Sequence, residues 1–446
     1  MHDKNSHRGV SVGTIVMILV TAAVSVGMMM ILPRLSSGAT VQLKPGQMLE
    51  ALNLSELVPE LKLDDIPIHL PTVTAPPATE APVLSAGTST AAPVATASPT
   101  VVPRGGTFTM TVGGSVCIET EIRQSGYYKE AKAYDFTELL SLLAGHMNSD
   151  LNMVMLENLV IPSAKVSALI APEPVMKLLA SNHVDTVALG FAKALDKNID
   201  GLMSTVEAAQ DQRLHVVGAF AEEAASQAEN QIVELGGVRT ALLHYTDNLS
   251  KTGASALKKS GKDYVLPQAD RIAADIERVR NAGAEVIVVS VSWGTAGKGA
   301  TTNAQKKLAQ QIADAGADVI LGVGPRVVQP TEWLNGKRAD GSEKKTLCVY
   351  SLGCLISDSR TDGQVAGMLL KLRITCDANG EVLIEQAGYV PTYVWHYKIE
   401  SLDQYRVVVS NQAAPDGMES GQQTSMSRAL KNIRKSVGSV LTEIEP

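Results

Sequence analysis

The sequence predicts an α/β protein, a layered α/β sandwich that is carried on an N-terminal transmembrane helix. First, short β-branched runs alternate with helical segments between residues 107 and 397, which is typical of layered α/β folds. Second, the chain is 45% hydrophobic but only 4% aromatic, so the core must be mainly aliphatic. Third, an uncharged apolar run lies close to the N-terminus. The 446 residues suffice for one large domain or two ordinary ones, with a true core.

The N-terminal apolar run, residues 10–32, contains no charged residue, and about 20 apolar residues cross a bilayer as a helix. Lys4 and Arg8 precede the run, whereas Arg34 is the first charge after it. This bias favours a cytoplasmic tail, residues 1–9, and an extracytoplasmic remainder in a single-pass protein of the bacterial cell membrane. The alternative is a cleaved signal peptide, but the run is longer than the usual signal core.

Two segments separate this helix from the domain. Residues 33–70 form a juxtamembrane segment in which leucines recur at helical spacing. Residues 71–106 are rich in Pro, Ala and Thr, a composition that favours extended polyproline-like states. At about 3.1 Å per residue this linker reaches roughly 110 Å. We therefore expect a spacer that holds the domain away from the membrane.

The domain itself is expected to cover residues 107–397. Its predicted strands are 107–112, 153–156, 186–189, 215–217, 240–245, 286–291, 319–321, 347–351 and 368–375. Its predicted helices are 136–146, 174–181, 199–212, 267–282 and 302–315. The late strands lack long helices between them, which indicates an antiparallel portion.

The C-terminal region, residues 398–446, is predicted to be a polar linker followed by an amphipathic helix. One helix face is apolar and the other basic; the apolar residues are Met426, Leu430, Ile433, Val437, Val440 and Leu441. Such helices usually pack on their own domain. Contact with a membrane surface or a partner is the alternative.

The net charge and the cysteine spacing argue against two classes of function. A net charge of -7 argues against nucleic-acid binding. The four cysteines fit no zinc motif. Disulfides are allowed in an exported domain, and either Cys348 with Cys376 or Cys117 with Cys354 is a candidate pair. Buried free thiols are an equal alternative.

Several motifs lie in or beside the loops at predicted strand ends, which is where α/β folds place ligand sites. They are Val291-Ser292-Trp293-Gly294, the run from Ala313 to Gly322, Gln329-Pro330-Thr331-Glu332-Trp333 and Tyr350-Ser351-Leu352-Gly353. In this order they resemble the CapA family of capsule and poly-γ-glutamate synthesis proteins across nearly the whole domain. The resemblance implies a metallophosphoesterase-like fold. Family positions are retained at Glu157, Asp196, Trp293 and Glu332.

The positions that resemble family metal ligands are mostly replaced. A site of this type needs Asp, Asn and His ligands for divalent metals. Where the family has such ligands, this chain has Gly114, Met155, Lys193, Ser292, Val323 or Gly324, Arg326 and Cys354. The pair Asn182-His183 precedes its strand instead of following it, and the other domain histidines, His146, His215, His244 and His396, are expected to be structural. We therefore expect no metal, no cofactor and no catalytic residue.

Two replacements are cationic, and they suggest an anion-binding pocket. Its proposed members are Lys193, Arg326, Ser292, Gly322 and Gly324. Ammonium and guanidinium groups hold phosphate or carboxylate without metal, and glycines let backbone N–H groups approach an anion. The alternative is a set of solvated residues in a decayed cleft.

These observations predict a non-catalytic cell-surface protein that binds an anionic envelope polymer or capsule-synthesis membrane proteins. One alternative is an active metal-dependent phosphoesterase-like hydrolase of the envelope. Another is a structural subunit of a membrane complex. The biological setting comes from the resemblance alone, because a fold does not determine function.

Overall fold

The computed structural model describes residues 105–359, 361 and 363–445. The transmembrane helix predicted at residues 10–32, the segment 33–70 and the linker up to residue 104 lie outside the described residues. Within the described part, no helix combines the length and the apolar character that a membrane crossing requires.

In chain order, the described strands are β1 (Gly106–Val116), β2 (Tyr127–Tyr128), β3 (Ala133–Tyr134), β4 (Leu151–Leu156), β5 (Leu159–Val160), β6 (Ile170–Ala171), β7 (Thr186–Ala188), β8 (His215–Val217), β9 (Ile232–Leu235), β10 (Val238–Thr246), β11 (Val286–Ser292), β12 (Val319–Val323), β13 (Thr331–Lys337), β14 (Glu343–Val349), β15 (Cys354–Ile356), β16 (Ala366–Cys376), β17 (Val382–Ile399), β18 (Leu402–Val409) and β19 (Thr442–Glu443). The described α-helices are α1 (Thr120–Ser125), α2 (Pro174–Ser181), α3 (Asn198–Asp211), α4 (Lys251–Ser260), α5 (Ile272–Asn281), α6 (Asn303–Ala315) and α7 (Ser420–Val437).

Two mixed sheets form the framework. The larger has the order β18-β17-β16-β1-β4-β7-β8, with β15 beside β1 and β19 beside β17. Strands β1, β4, β7 and β8 run parallel, whereas β16, β17 and β18 pair antiparallel. The smaller sheet has the order β13-β14-β12-β11-β10-β9, with a parallel centre and antiparallel edge strands. The expected antiparallel portion is therefore present.

The two sheets pack face to face. Along each central strand, alternate side chains enter the cluster between the sheets and the cluster on the outer face of that strand's own sheet. In β11, Val286 and Val288 belong to the cluster between the sheets, while Ile287 and Val289 face the opposite way. In β4, Met153 and Met155 likewise face the smaller sheet, and Val154 and Leu156 face outward. Strands that are buried on both faces consist mostly of consecutive aliphatic residues, which agrees with the aliphatic core expected from the composition.

Helices cover both outer faces. Helices α2 and α3 contribute to the cluster outside the larger sheet, and α5 and α6 to the cluster outside the smaller one. Helix α6 begins at a capping box between Thr302 and Gln305 and ends at Gly316, whose φ of 106° suits a glycine. The result is a mixed α/β fold with layers in the order helix, sheet, sheet, helix.

The first strand is longer than predicted. The strand predicted at 107–112 extends further, so that Gly113 and Gly114 both lie inside β1. A Cβ atom on Gly114 would lie 2.2 Å from the carbonyl oxygen of Gly353. The glycine therefore permits close backbone approach inside the sheet and does not mark a turn.

The helix predicted at 136–146 is wrong. The chain there makes two separate 3-10 turns, Thr137–Leu139 and Ser141–His146, because Leu140 leaves the helical region of φ and ψ. The apolar spacing did identify residues of the core, since Phe136, Leu139 and Leu143 are all buried. Apolar spacing alone does not distinguish one α-helix from two short turns.

The C-terminal region belongs to the same fold. The boundary expected after Tyr397 falls inside β17, and β18 then adds a further strand to the larger sheet. Helix α7 buries Met426, Ile433 and Val437 in the cluster between the sheets. The prediction that this helix packs on its own domain is confirmed.

Candidate functional site

The carboxyl ends of the parallel strands from both sheets meet at one end of the sandwich, which we call the cleft. Arg326, after β12 of the smaller sheet, contacts Glu157, after β4 of the larger sheet. The loop after β7 meets the loop after β10, where the Ser250 N–H donates to the Ala192 carbonyl at 2.7 Å. The strand order therefore brings the predicted site loops together, as expected for parallel α/β sheets.

Arg326 forms the centre of the cleft floor. Its Nε donates to Glu157 Oε2 at 2.8 Å, and its Nη1 donates to Glu119 Oε1 at 3.0 Å. The side chain of Arg326 is 24% exposed and that of Glu157 only 8%. Ser115 donates to the second oxygen of Glu157 at 2.5 Å. A chain of charge-assisted hydrogen bonds thus links β1, β4 and the loop after β12.

A third carboxyl group adjoins this ion pair. Asp358 accepts the backbone N–H of Glu121 at 2.6 Å, and it is hydrogen-bonded to Glu119. Burial, assisted by the neighbouring Glu119, raises the pKa of Asp358 to about 6. Two carboxylates therefore contact the Arg326 guanidinium and a third carboxyl group adjoins one of them, so the floor of the cleft disfavours a further anion.

The residues of the predicted anion pocket all lie at this end of the fold. Lys193 is exposed on the rim, in the loop after β7. Ser292 is buried and donates to Asn248 Oδ1 at 3.2 Å. Because the guanidinium of Arg326 is already paired with the carboxylates of Glu157 and Glu119, this geometry favours a structural role for it over anion binding.

The two glycines of that pocket have packing and backbone roles. A Cβ on Gly322 would lie 1.9 Å from the Tyr350 carbonyl oxygen and 2.5 Å from Trp293 Nε1. Gly324 has a φ of 102°, which L-residues rarely adopt. Gly322 therefore serves the close packing of β12.

His244 lies buried at the junction of the two sheets. One ring nitrogen is 2.7 Å from the Gly190 carbonyl, and the other is 2.7 Å from the Ser290 hydroxyl. Burial lowers the pKa of His244 to about 4, so the ring is neutral at pH 7. Because a carbonyl only accepts, Nε2 carries the proton and Nδ1 accepts from Ser290. This arrangement is structural, as expected for His244.

The other histidine prediction concerns Asn182-His183. His183 is exposed, with a φ of 60°, in the turn between α2 and β7. This turn precedes β7, so it lies at the amino end of that strand, away from the cleft. The structure therefore places His183 outside the candidate site.

The side chains at the other retained family positions are fixed by hydrogen bonds. Asp196 accepts a short hydrogen bond from the Ser250 hydroxyl. Trp293 is fully buried, and its indole N–H donates to the Tyr350 carbonyl at 2.9 Å. Glu332 accepts from the Tyr350 hydroxyl at 2.6 Å. These residues support the loops of the cleft, and none of them enters its floor as Glu157 does.

All four cysteines are buried free thiols in the structure. Cys117 and Cys354 are neighbours, and their mutual hydrogen bond together with complete burial holds the pKa of Cys117 well above its usual range. Burial also raises the pKa of Cys348 well above its usual range. Protonated buried thiols are poor nucleophiles, so neither group suits catalysis.

The residues of the cleft do not fit the metal centre that the family resemblance implies. Met155, at a position resembling a family ligand, is buried in the core between the sheets. Glu157 is already paired with the guanidinium of Arg326. Among the residues that the structure describes, His, Cys, Asp and Glu form no group of three or more arranged for a metal ion.

Three members of the cleft were not identified from the sequence: Glu119, Asn248 and Asp358. Glu119 follows the end of β1, whereas Asn248 and Asp358 come from distant loops. Each is a common polar residue with no motif around it. Only the three-dimensional arrangement of strand ends identifies them.

The chain matches the family described as Bacterial capsule synthesis protein PGA_cap over residues 109–359. It is 30% identical over 165 residues to the PGA biosynthesis protein CapA of Bacillus subtilis (strain 168), covering 37% of this chain and 40% of that protein. It is 27% identical over 184 residues to the capsule biosynthesis protein CapA of Bacillus anthracis, covering 40% and 39%. The matches thus span about 40% of the length of these relatives.

Two solved structures are also similar. The NAD nucleotidase NadN of Haemophilus influenzae aligns with a TM-score of 0.39 at 11% identity, covering 75% of this chain and 57% of that chain. A hypothetical protein from Thermus thermophilus aligns with a TM-score of 0.32 at 15% identity, covering 64% and 98%.

Proposed function

We propose a function from the premise that the chain belongs to the bacterial capsule synthesis protein family PGA_cap. The protein acts in capsule or poly-γ-glutamate synthesis or attachment, and it acts by binding and not by catalysis. Its fold is of the metallophosphoesterase-like type, with the metal centre replaced by an internal ion pair. Residues 10–32 anchor it in the cell membrane with a cytoplasmic N-terminus, and residues 71–106 hold the domain outside.

The observation that carries this proposal is the pairing of Arg326 with Glu157 and Glu119. A divalent cation at the cleft floor would have to compete with a covalently attached guanidinium for these carboxylates. Bringing a second cation next to a partly buried guanidinium is opposed by like-charge repulsion in a low-dielectric setting. The ion pair therefore closes the position where a metal would activate water.

The ligand of the cleft follows from its charge. Three carboxyl groups against one guanidinium repel a polyanion from the floor. The exposed rim remains, including Lys193 and the exposed Asp247. Rims with mixed charges suit a protein partner, so we favour a capsule-synthesis membrane protein as the partner.

An anionic envelope polymer is the second candidate ligand, because Lys193 is an exposed cation on the rim. In that case polymer binding would depend on Lys193 and weaken with salt. Loss of poly-γ-glutamate binding in the Lys193→Ala variant, with Lys259→Ala on α4 as the control for an exposed lysine, would favour this candidate over a protein partner.

The deciding test is metal content. The full chain, purified in detergent, is incubated with Mn²⁺, Zn²⁺ and Fe²⁺, desalted, and measured by elemental analysis and with a generic phosphoester substrate. We expect far less than one metal ion per chain and no metal-dependent hydrolysis. Near-stoichiometric metal together with hydrolysis would refute the binding function and establish the phosphoesterase-like alternative.

A further inference from the structure

A second recess lies at the end of the sandwich opposite the cleft, and we call it the groove. Its volume is about 1150 Å³. Its floor contains Glu285 and Asp318, which directly precede β11 and β12, whereas Ser292 and Arg326 belong to the other ends of these strands. A seven-residue strand at about 3.3 Å per residue separates the two ends by roughly 20 Å. The groove is therefore independent of the cleft.

The two walls of the groove come from different sheets. The hairpin of β13 and β14 supplies one wall, and the turn between β16 and β17 supplies the other. Arg338 of the hairpin pairs with Glu381 of the turn at 3.2 Å, so the walls are joined across the groove. The β13–β14 strands pair in register from Thr331 to Lys337, which fixes the positions of the side chains on that wall. The groove is a preformed feature of the folded chain.

Both walls present apolar surface to the groove. Trp333 on β13 is 38% exposed, and Leu383 on β17 is 59% exposed. The other two tryptophans, Trp293 and Trp395, are buried. An exposed indole on a rigid strand is costly to leave in water, and it provides a flat apolar platform for a ligand.

The charges around these platforms cancel. Four basic and four acidic side chains line the groove, among them Arg280, Arg338, Glu285 and Asp340. Lys344 donates to Asp318 at 2.5 Å, and Lys345 donates to Asn335 at 2.5 Å. With no net charge, the groove has no long-range attraction for a polyanion. It does offer many fixed hydrogen-bond donors and acceptors.

We infer that the groove binds an uncharged glycan chain. A pyranose ring has an apolar C–H face that stacks on an indole, and its hydroxyl groups donate and accept around the ring edge. Trp333 and Leu383 match the apolar face, while Asp340 and Asn379 lie on the polar rim. The volume suits a short oligosaccharide, since ligand sites of this size combine apolar walls with a few polar groups. This inference does not rest on the proposed function of the cleft.

The fluorescence of Trp333 tests the inference directly, because the other tryptophans are shielded. The probe is the uncharged tetramer of N-acetylglucosamine, titrated into the full chain in detergent. We expect a saturable change in tryptophan emission and protection from acrylamide quenching, with a Kd of about 0.1 to 1 mM. Binding should not change between low and high salt, since no net charge is involved.

Variants separate stacking from general surface effects. Trp333→Ala should weaken binding at least about tenfold, and Trp333→Phe should keep part of the affinity, since a ring remains. Because Trp333→Ala removes the exposed indole whose emission responds to the ligand, its affinity is measured by calorimetry. Leu402→Ala is the control, because Leu402 is equally apolar and exposed but lies on β18, outside the groove. Circular dichroism confirms that each variant is folded.

Two results would overturn the inference. One is the absence of calorimetric binding by the wild-type chain at about 10 mM tetramer, a concentration that saturates even weak sites. The other is salt-sensitive binding of poly-γ-glutamate that depends on Trp333, which would show that the groove takes an anionic polymer. Neither result bears on the metal content of the cleft, so the two proposals fail separately.

Discussion

Replacing Arg326 with Met tests whether the ion pair supports the cleft. The substitution keeps an unbranched stem and removes the guanidinium, and the φ of 57° is as unfavourable for Met as for Arg. Glu157, 8% exposed, would then keep only Ser115 as a side-chain partner among its contacts described above. The perturbation is therefore close to the removal of one partner from a buried salt bridge.

The expected cost lies between two measured limits. Breaking a fully buried pair costs about 3–5 kcal/mol, whereas an exposed pair contributes about 0–1 kcal/mol. The Arg326 side chain is 24% exposed, and its second partner Glu119 is 29% exposed. We therefore expect Arg326→Met to lower the free energy of unfolding by about 2–3 kcal/mol, most of it from the Glu157 contact.

Urea denaturation of the full chain at pH 7.5 measures this change. The control is Arg373→Met, because the Arg373–Glu385 pair is exposed on both sides and its loss should change the free energy of unfolding much less. Adding Glu157→Gln to Arg326→Met should recover about 1–2 kcal/mol, since no unpaired buried carboxylate remains. The reasoning is refuted if Arg326→Met costs no more than the control, or if Glu157→Gln worsens the double variant.

Two further predictions concern the same end of the fold. Because the pKa of Asp358 is raised to about 6 in the folded state, its ionisation costs stability as the pH rises from about 4 to 6. Asp358→Asn should match the wild type at pH 4 and exceed it by about 1 kcal/mol at pH 7.5, after allowance for solvent screening, in urea titrations at both pH values; equal stability at pH 7.5 would contradict the assignment. Gly322→Ala places a Cβ 1.9 Å from a backbone carbonyl oxygen, so it should cost more than about 3 kcal/mol or prevent folding. Gly299→Ala, with open space around it, should change stability by less than about 0.5 kcal/mol, and equal thermal midpoints for the two variants would show that the close approach is not required.

Much of the fold was predictable because its central strands are buried on both faces. The segment 286–291, for example, is aliphatic at every position except Ser290, and it lies within the central strand β11. Strands at the sheet edges carry a weaker signal. Strand β17 contains Pro391 and polar residues and was not predicted, although it is the longest described strand. Its assignment depends on pairing with β16 and β18, which local sequence does not encode.

The sequence predicted the position of the candidate site, but it did not predict the ion pairing and the local charge there. The strand ends indicated the correct loops, and Arg326 and Glu157 were both identified in advance. Their contact was not, because they are 169 positions apart in the sequence. When the contact with Glu157 is not known, the sequence presents Arg326 as an unpaired cation, and this suggests an anion-binding pocket. The sign of the local charge depends on Glu119 and Asp358, which have no motif of their own.

The ion pair also determines which surface of the cleft is available for binding. Arg326 has a positive φ, a conformation that costs a non-glycine residue about 1 kcal/mol or more, so the surrounding contacts must hold it in place. Those contacts are carboxylates from two strand ends of the other sheet, and they fix the two sheets together at the floor. A floor fixed in this way has little capacity to rearrange around a ligand. In the proposed binding function, recognition would therefore use the exposed rim of the cleft, where a partner protein would make contact.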